Sequence, residues 1–147
     1  MADYTESSIL IDAGAGGVAD AIGDVEAYPE WTDQMRSARI LAEDEAGWPD
    51  QVEFTVDAGI LKDTYVLQYA WDLDEDGSGL VSWHLVRGQA LTAMDGSYSL
   101  SAEGAATRVV YRLSIDSRIS LPGIVKRKAE KAIIASALDG LKKRVEG

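Results

Sequence analysis

The sequence predicts an α+β fold: a curved antiparallel sheet of about six or seven strands wrapped around one long C-terminal helix, with two short helices after the first strand. Three observations carry this. From Leu121 to Glu146 the only Pro stands at the start, and after Gly123 a single further Gly interrupts the run. Apolar or small residues recur there every three or four positions, at Val125, Ala129, Ala132, Ile133, Ser136, Ala137, Leu141 and Val145, which makes one continuous helical face. Upstream, runs that alternate with period two end in Gly-, Asp- or Pro-bearing turns, the pattern of an antiparallel meander. Between the first such run and the second lie two short segments with helical rather than alternating spacing.

Residues 3–11 form the first strand and Asp12–Gly17 a Gly/Ala-rich break. Val18–Gly23 reads as a short helix with Val18, Ala21 and Ile22 on one side. The GAGG run before it lacks the Lys-Ser/Thr of a phosphate loop and any dinucleotide-binding spacing, so it is a turn. Val25–Trp31, which contains Pro29, is the second short segment. Strands follow at Arg36–Glu43, Gln51–Ala58, Thr64–Leu73, Leu80–Arg87, Leu91–Ala102 and Arg108–Asp116. Ala46–Asp50, the acidic Asp74–Gly79, Gly88 and Glu103–Ala106 punctuate them. Pro122 suits the first turn of the last helix, where its missing N–H has no partner to lose. That helix is roughly 35 Å long at about 1.5 Å per residue, enough to cross a small domain.

The 147 residues are expected to form one domain, 1–147, large enough to fold without staples. There is no cysteine and a single histidine, His84, so thiolate chemistry and a Cys/His zinc site are excluded, and no metal or cofactor is expected. No secretory signal pattern and no membrane-length apolar run is present; a cytoplasmic location is the expectation. The net charge is −11, which argues against nucleic acid as a partner. Residues 122–147 hold seven of the 14 Lys and Arg but three of the 25 Asp and Glu, a local +4 that leaves −15 on the rest. Cations near a helix C-terminus are ordinary. Lys126, Arg127 and Lys128 lie at its other end, where they could flank an anionic head group or a membrane surface.

Alternation collects Val52, Phe54, Val56, Tyr65, Leu67, Tyr69, Trp71, Val81, Trp83, Leu85, Tyr98, Leu100, Val109, Tyr111, Leu113 and Ile115 on one sheet face. That wall is rich in Trp and Tyr and faces a helix thinned by Ala129, Ala132, Ser136 and Ala137. Buried phenols and indoles need partners, so two arrangements are open. Large strand residues can interdigitate with small helix residues in a filled core, or the two layers can enclose an aromatic-walled cavity.

His84 has the parity of Ser82 and Val86, opposite Trp83 and Leu85, and belongs to the outer face rather than to acid–base chemistry. No serine stands in a nucleophile-elbow context. The carboxylates Asp44/Glu45 and Asp74/Asp76 sit in turns. Arg39, Arg87 and Arg112 are candidate pocket cations, though strand arginines usually face solvent.

In their order, these elements resemble the START-like, or SRPBCC, "helix-grip" superfamily, and within it the polyketide cyclase/dehydrase and lipid-transport family. The resemblance rests on Tyr28-Pro-Glu-Trp31, Val81-Ser-Trp83, Gly96-Ser-Tyr98-Ser-Leu100, Gly104 with Thr107-Arg-Val-Val-Tyr111, and Leu121-Pro-Gly123. It implies a sheet gripping the long helix around a hydrophobic tunnel, with Trp31 closing one end and Ile60, Leu61 and Leu121 at an entrance. The expected lining is Trp31, Phe54, Tyr65, Tyr69, Trp71, Trp83, Tyr98 and Tyr111 from the sheet side, and Val125, Ala129, Ala132, Ile133 and Ser136 from the helix. No catalytic residue is expected. The expected partner is a hydrophobic small molecule (a lipid, isoprenoid quinone or polyketide-like compound), with possible transient contact to a membrane surface. Two alternatives stay open: an aromatase/cyclase or dehydratase acting on a polyketide, and a ribosome- or chaperone-associated interaction module with a filled core.

Overall fold

A computed structural model describes residues 4–57, 59 and 62–147. Seven strands form one antiparallel sheet in the order β1-β7-β6-β5-β4-β3-β2. They are β1 (Thr5–Ile11), β2 (Met35–Glu43), β3 (Pro49–Asp57), β4 (Lys62–Leu73), β5 (Gly79–Gly88), β6 (Leu91–Glu103) and β7 (Ala106–Ser117). Between β1 and β2 run α1 (Ala15–Gly23), one turn of 3-10 helix and the four-residue α2 (Tyr28–Trp31); α3 (Gly123–Glu146) closes the chain. The helix-grip architecture is therefore as expected. No helix among the described residues is long and apolar enough to cross a membrane.

Period-two burial is cleanest in β3, where Val52, Phe54 and Val56 are inside and their neighbours half-exposed. Register shifts in β2, at Val66 of β4 and at the start of β6 interrupt the ladders; such bulges bend a sheet and let it curl. Two local boundaries differ from expectation. The first helix begins at Ala15, not Val18, because Gly14 holds the extended N-cap position without a side-chain cap, so no Ser, Thr, Asp or Asn marks it in the sequence. Pro49 and Asp50 belong to β3 rather than to a turn, with Pro49 at the first strand position, where a missing N–H is tolerated.

The inward face of α3 also differs. Glu130, Ile134, Ala137, Leu138 and Leu141 are buried, whereas Ala132 and Ala135 are exposed. Glu130 accounts for the rotation. Its carboxylate accepts hydrogen bonds from Thr5 Oγ1 (2.6 Å) and from the backbone N–H of Ile115 (2.8 Å). β1 begins opposite Leu113, so the β7 amide beyond it has no strand partner on that side. The helix carboxylate supplies one. α3 consequently packs over β1 and β7 and against α1 and α2, and leaves the aromatic faces of β3 to β6 uncovered by the helix itself.

Candidate functional site

The uncovered faces form one wall of an internal cavity. Register sets the wall: Phe54 stands opposite Tyr65, Tyr69 opposite Trp83, Trp83 opposite Gly96, and Tyr98 opposite Tyr111. Gly96 is required there, since a Cβ at that position would lie 2.5 Å from the Trp83 indole. The rings interlock at centroid separations of 5.8 Å for Phe54–Tyr65, 5.7 Å for Tyr69–Trp83, 5.5 Å for Trp83–Tyr111 and 4.7 Å for Tyr98–Tyr111. Edge-to-face and tilted contacts of this kind suit the ring quadrupoles.

The other side is built from α2 and α3. Tyr28 stacks on Phe54 at 5.9 Å and meets Trp31 edge-on at 4.9 Å. Thr32, Gln34 and Met35 follow Trp31 along the rim, and Ile133, Ser136 and Ala137 face them from α3. Val56, Leu67 and Met94 complete the lining. The free space within it is about 70 Å³, room for a few waters and about half of a cavity that takes one benzene ring. A larger guest has to displace side chains. Met35 and Met94, unbranched and adaptable, are suited to give way.

Of the expected lining residues, Trp31, Phe54, Tyr65, Tyr69, Trp83, Tyr98, Tyr111, Ile133 and Ser136 surround the cavity. Four others lie elsewhere. Trp71 is on the inner face but past the cavity's end, stacked on Trp48 at 4.7 Å, with its indole N–H donating to the Pro49 carbonyl. Ala132 is exposed because α3 is rotated about its Glu130 anchor. Ala129 and Leu121 line a separate surface cleft beside the end of β7, and Val125, half-buried, lies outside the cavity lining. Ile60 and Leu61 fall outside the described residues. Tyr28, Thr32, Gln34, Met35, Val56, Leu67, Met94 and Ala137 were not expected; the parity of Met94 with Gly96 and Tyr98 was a usable signal, while Thr32 and Gln34 lie in no periodic run. Arg39, Arg87 and Arg112 are all exposed, with Arg39 paired to Glu53 and Arg112 to Glu6. His84 is exposed too.

The polar inventory of the cavity is dominated by phenols. The Tyr28 hydroxyl donates to the Ile22 carbonyl and lies beside that of Tyr69. Those of Tyr65, Tyr98 and Tyr111 make no hydrogen bond with any described protein group, yet no sealed side-chain N or O among the described residues lacks a partner. These three hydroxyls therefore open onto free space, and the space they share is the cavity. Burial pushes all five phenols above their ordinary values; neighbouring phenols add to this for Tyr28, Tyr69, Tyr98 and Tyr111, and Asp63 does so for Tyr65. Each remains an O–H donor throughout the neutral range.

A sheet curled over a long helix, with an aromatic cavity between them and polar tips turned inward, defines a START-like fold. The chain belongs to the polyketide cyclase/dehydrase and lipid transport family, whose model matches residues 3–146. Among solved structures, it superposes on a START superfamily protein from Mycobacterium smegmatis with a TM-score of 0.87 at 20% identity, covering 97% of each chain. The ZhuI aromatase/cyclase from a Streptomyces species gives a TM-score of 0.79 at 17% identity over 99% of this chain and 94% of that one. A Thermus thermophilus protein, TTHA0849, gives 0.83 at 22% identity over 98% and 97%. No curated sequence matches the chain.

Proposed function

We propose that this protein binds and carries, without altering it, a hydrophobic small molecule bearing at least one hydrogen-bond-accepting oxygen, in the cavity between sheet and α3. The observation that carries the reading is the convergence of the Tyr65, Tyr98 and Tyr111 hydroxyls, without protein partners, on an apolar enclosure. Donors that open onto the cavity are free to meet a ligand carbonyl or hydroxyl, while its carbon skeleton replaces water against the aromatic wall. Isoprenoid quinones, polyketide-like aromatics and oxygenated lipids share this chemistry. A molecule of that size needs the cavity to widen, and the unbranched Met35 and Met94 are the lining side chains suited to give way. The reading places the protein in the cytoplasm on the sequence expectation alone.

A catalytic reading, cyclisation or dehydration of a poly-β-keto chain, draws support from the family and from the adjacent Tyr98 and Tyr111 phenols. Two O–H groups donating to one carbonyl would favour its enol. The reaction also needs a base for the α-proton, and the polar groups of the lining (phenols, Thr32, Gln34, Ser136 and two indoles) are neutral with the phenols raised further. This favours binding over turnover.

The test is native mass spectrometry of the purified protein followed by organic extraction. The expected result is a stoichiometric apolar adduct, or, for protein stripped of it, a thermal shift with quinones, lipids or aromatic polyketides that Tyr98→Phe and Tyr111→Phe reduce. A bare mass with no shift across all three ligand classes would overturn the proposal.

A further inference from the structure

Among the described residues, the two most exposed large apolar side chains are Ile119, 76% accessible, and Ile124, 72%. Ile119 lies in the loop from β7 to α3, and Ile124, five residues on, is the second residue of α3. The loop is held in place: the Arg118 N–H donates to the Ala90 carbonyl (2.8 Å), and Ser117 Oγ to the Ile119 carbonyl (2.5 Å). The outward presentation of Ile119 is thus built into the fold. Single exposed apolar residues are ordinary on protein surfaces; two at the entry to one helix, with cations beside them in the chain, are less so.

Arg118 precedes Ile119, and Arg127 and Lys128 lie one helical turn beyond Ile124 on α3; all three are exposed and none is in an ion pair among the described residues. The nearby carboxylates are engaged, Asp116 with Lys126 and Glu130 with Thr5 and Ile115. Antiparallel topology brings two further exposed cations, Lys62 at the start of β4 and Arg87 near the end of β5, to this end of the sheet, where Asp57, opposite Lys62, is paired with Arg36. The acidic turns of Asp44–Glu45 and Asp74–Asp76 lie at the opposite strand ends. β4 alone has 12 residues, so about 40 Å separates the two ends. That is several screening lengths at physiological salt. A protein of net charge −11 therefore presents one locally cationic, apolar-tipped corner.

We infer that this corner docks on an anionic lipid bilayer, with Ile119 and Ile124 entering the headgroup–acyl boundary and Arg118, Arg127 and Lys128 at the phosphates. Protruding isoleucines suit a bilayer, which accepts apolar side chains without a matching pocket, and the cations supply the attraction to anionic headgroups. The inference stands independently of what occupies the cavity.

The experiment is flotation of the full chain with vesicles of phosphatidylcholine alone and of an equimolar mixture with phosphatidylglycerol. Binding is expected to the mixed vesicles only, and to weaken with added salt. Arg127→Gln and Lys128→Gln should each weaken it about fivefold, and the Ile119→Ser/Ile124→Ser variant should remove it. Lys143→Gln, an exposed cation at the far end of α3, should leave it unchanged. These surface variants keep the native circular dichroism spectrum. No binding to mixed vesicles, equal binding to phosphatidylcholine, or indifference to the isoleucines would overturn the inference. Binding to soluble polyglutamate in place of vesicles would also overturn it, in favour of an acidic protein.

Discussion

A Cβ at Gly140 would lie 1.9 Å from the carbonyl oxygen of Trp31. The only Gly within α3 after its first residue is therefore the point at which α2 rests on that helix. Arg144 adds an ion pair to Glu30 of α2 at 3.0 Å. Together they fix where Trp31 and the residues after it stand, and hence the rim of the cavity.

Gly140→Ala gains helix propensity of roughly 1 kcal/mol but cannot keep this contact. Overpacking of a closed interface costs about 1–3 kcal/mol, and here the obstacle is backbone. The variant should be less stable than the parent in urea unfolding, with altered Trp31 fluorescence as α2 is pushed outward. Parental stability with unchanged fluorescence would mean that α2 is not seated as described. Arg144→Gln, which removes only an exposed pair, should cost less than about 1 kcal/mol.

Glu130 tests the anchoring of α3. Glu130→Ala leaves the Ile115 amide and the Thr5 hydroxyl without their acceptor, and hydrogen bonds to charged groups are worth about 1.5–3 kcal/mol each. Unfolding free energy should fall by about 3 kcal/mol or more. Glu130→Gln keeps one acceptor oxygen and should fall by less. A loss below about 0.5 kcal/mol for the alanine variant would remove Glu130 from its anchoring role.

The sheet was legible in the sequence because one-sided burial writes itself as alternation. Val52, Phe54 and Val56, then Tyr65, Leu67 and Tyr69, name the wall without further information. Alternation gives the face and not the depth, which is why Trp71, two residues past Tyr69, shares the wall but packs on Trp48 instead. The helix face was less legible. Ala and Ser carry little hydrophobic contrast, and the decisive inward residue, Glu130, is of a type that pattern assigns to solvent. Thr32, Gln34 and Met35 reach the cavity only because α2 is seated against Gly140, a relationship between segments more than 100 residues apart that no local pattern contains.

The rotation of α3 separates two substitutions that look alike in sequence. Ser136→Phe places a ring in the cavity lining from the α3 side and should abolish ligand binding, read as loss of the thermal shift or of Trp quenching by an apolar ligand. Ala132→Phe points to solvent and should bind as the parent does. Equal loss in both would place the ligand elsewhere, since only one of the two faces the cavity.

Alkaline pH probes the phenols directly. Burial raises Tyr28, Tyr65, Tyr69, Tyr98 and Tyr111 in the folded protein, whereas unfolded phenols ionise near 10. Below about pH 10 both states keep these protons, and the stabilisation is fully present. Above it the unfolded chain releases protons that the native state retains, so stability falls as pH rises. The decline is up to about 1.4 kcal/mol per pH unit for each phenol. Phenolate absorbance from these five should be missing from the folded protein and should appear together with loss of circular dichroism, as one cooperative alkaline unfolding. Ligand affinity should stay level from neutral pH to about 10, because the donors do not change state while the protein is folded. Gradual titration of all five near 10 with the fold intact would show that their hydroxyls face water rather than a shielded cavity, and would remove the basis for ligand recognition by Tyr65, Tyr98 and Tyr111.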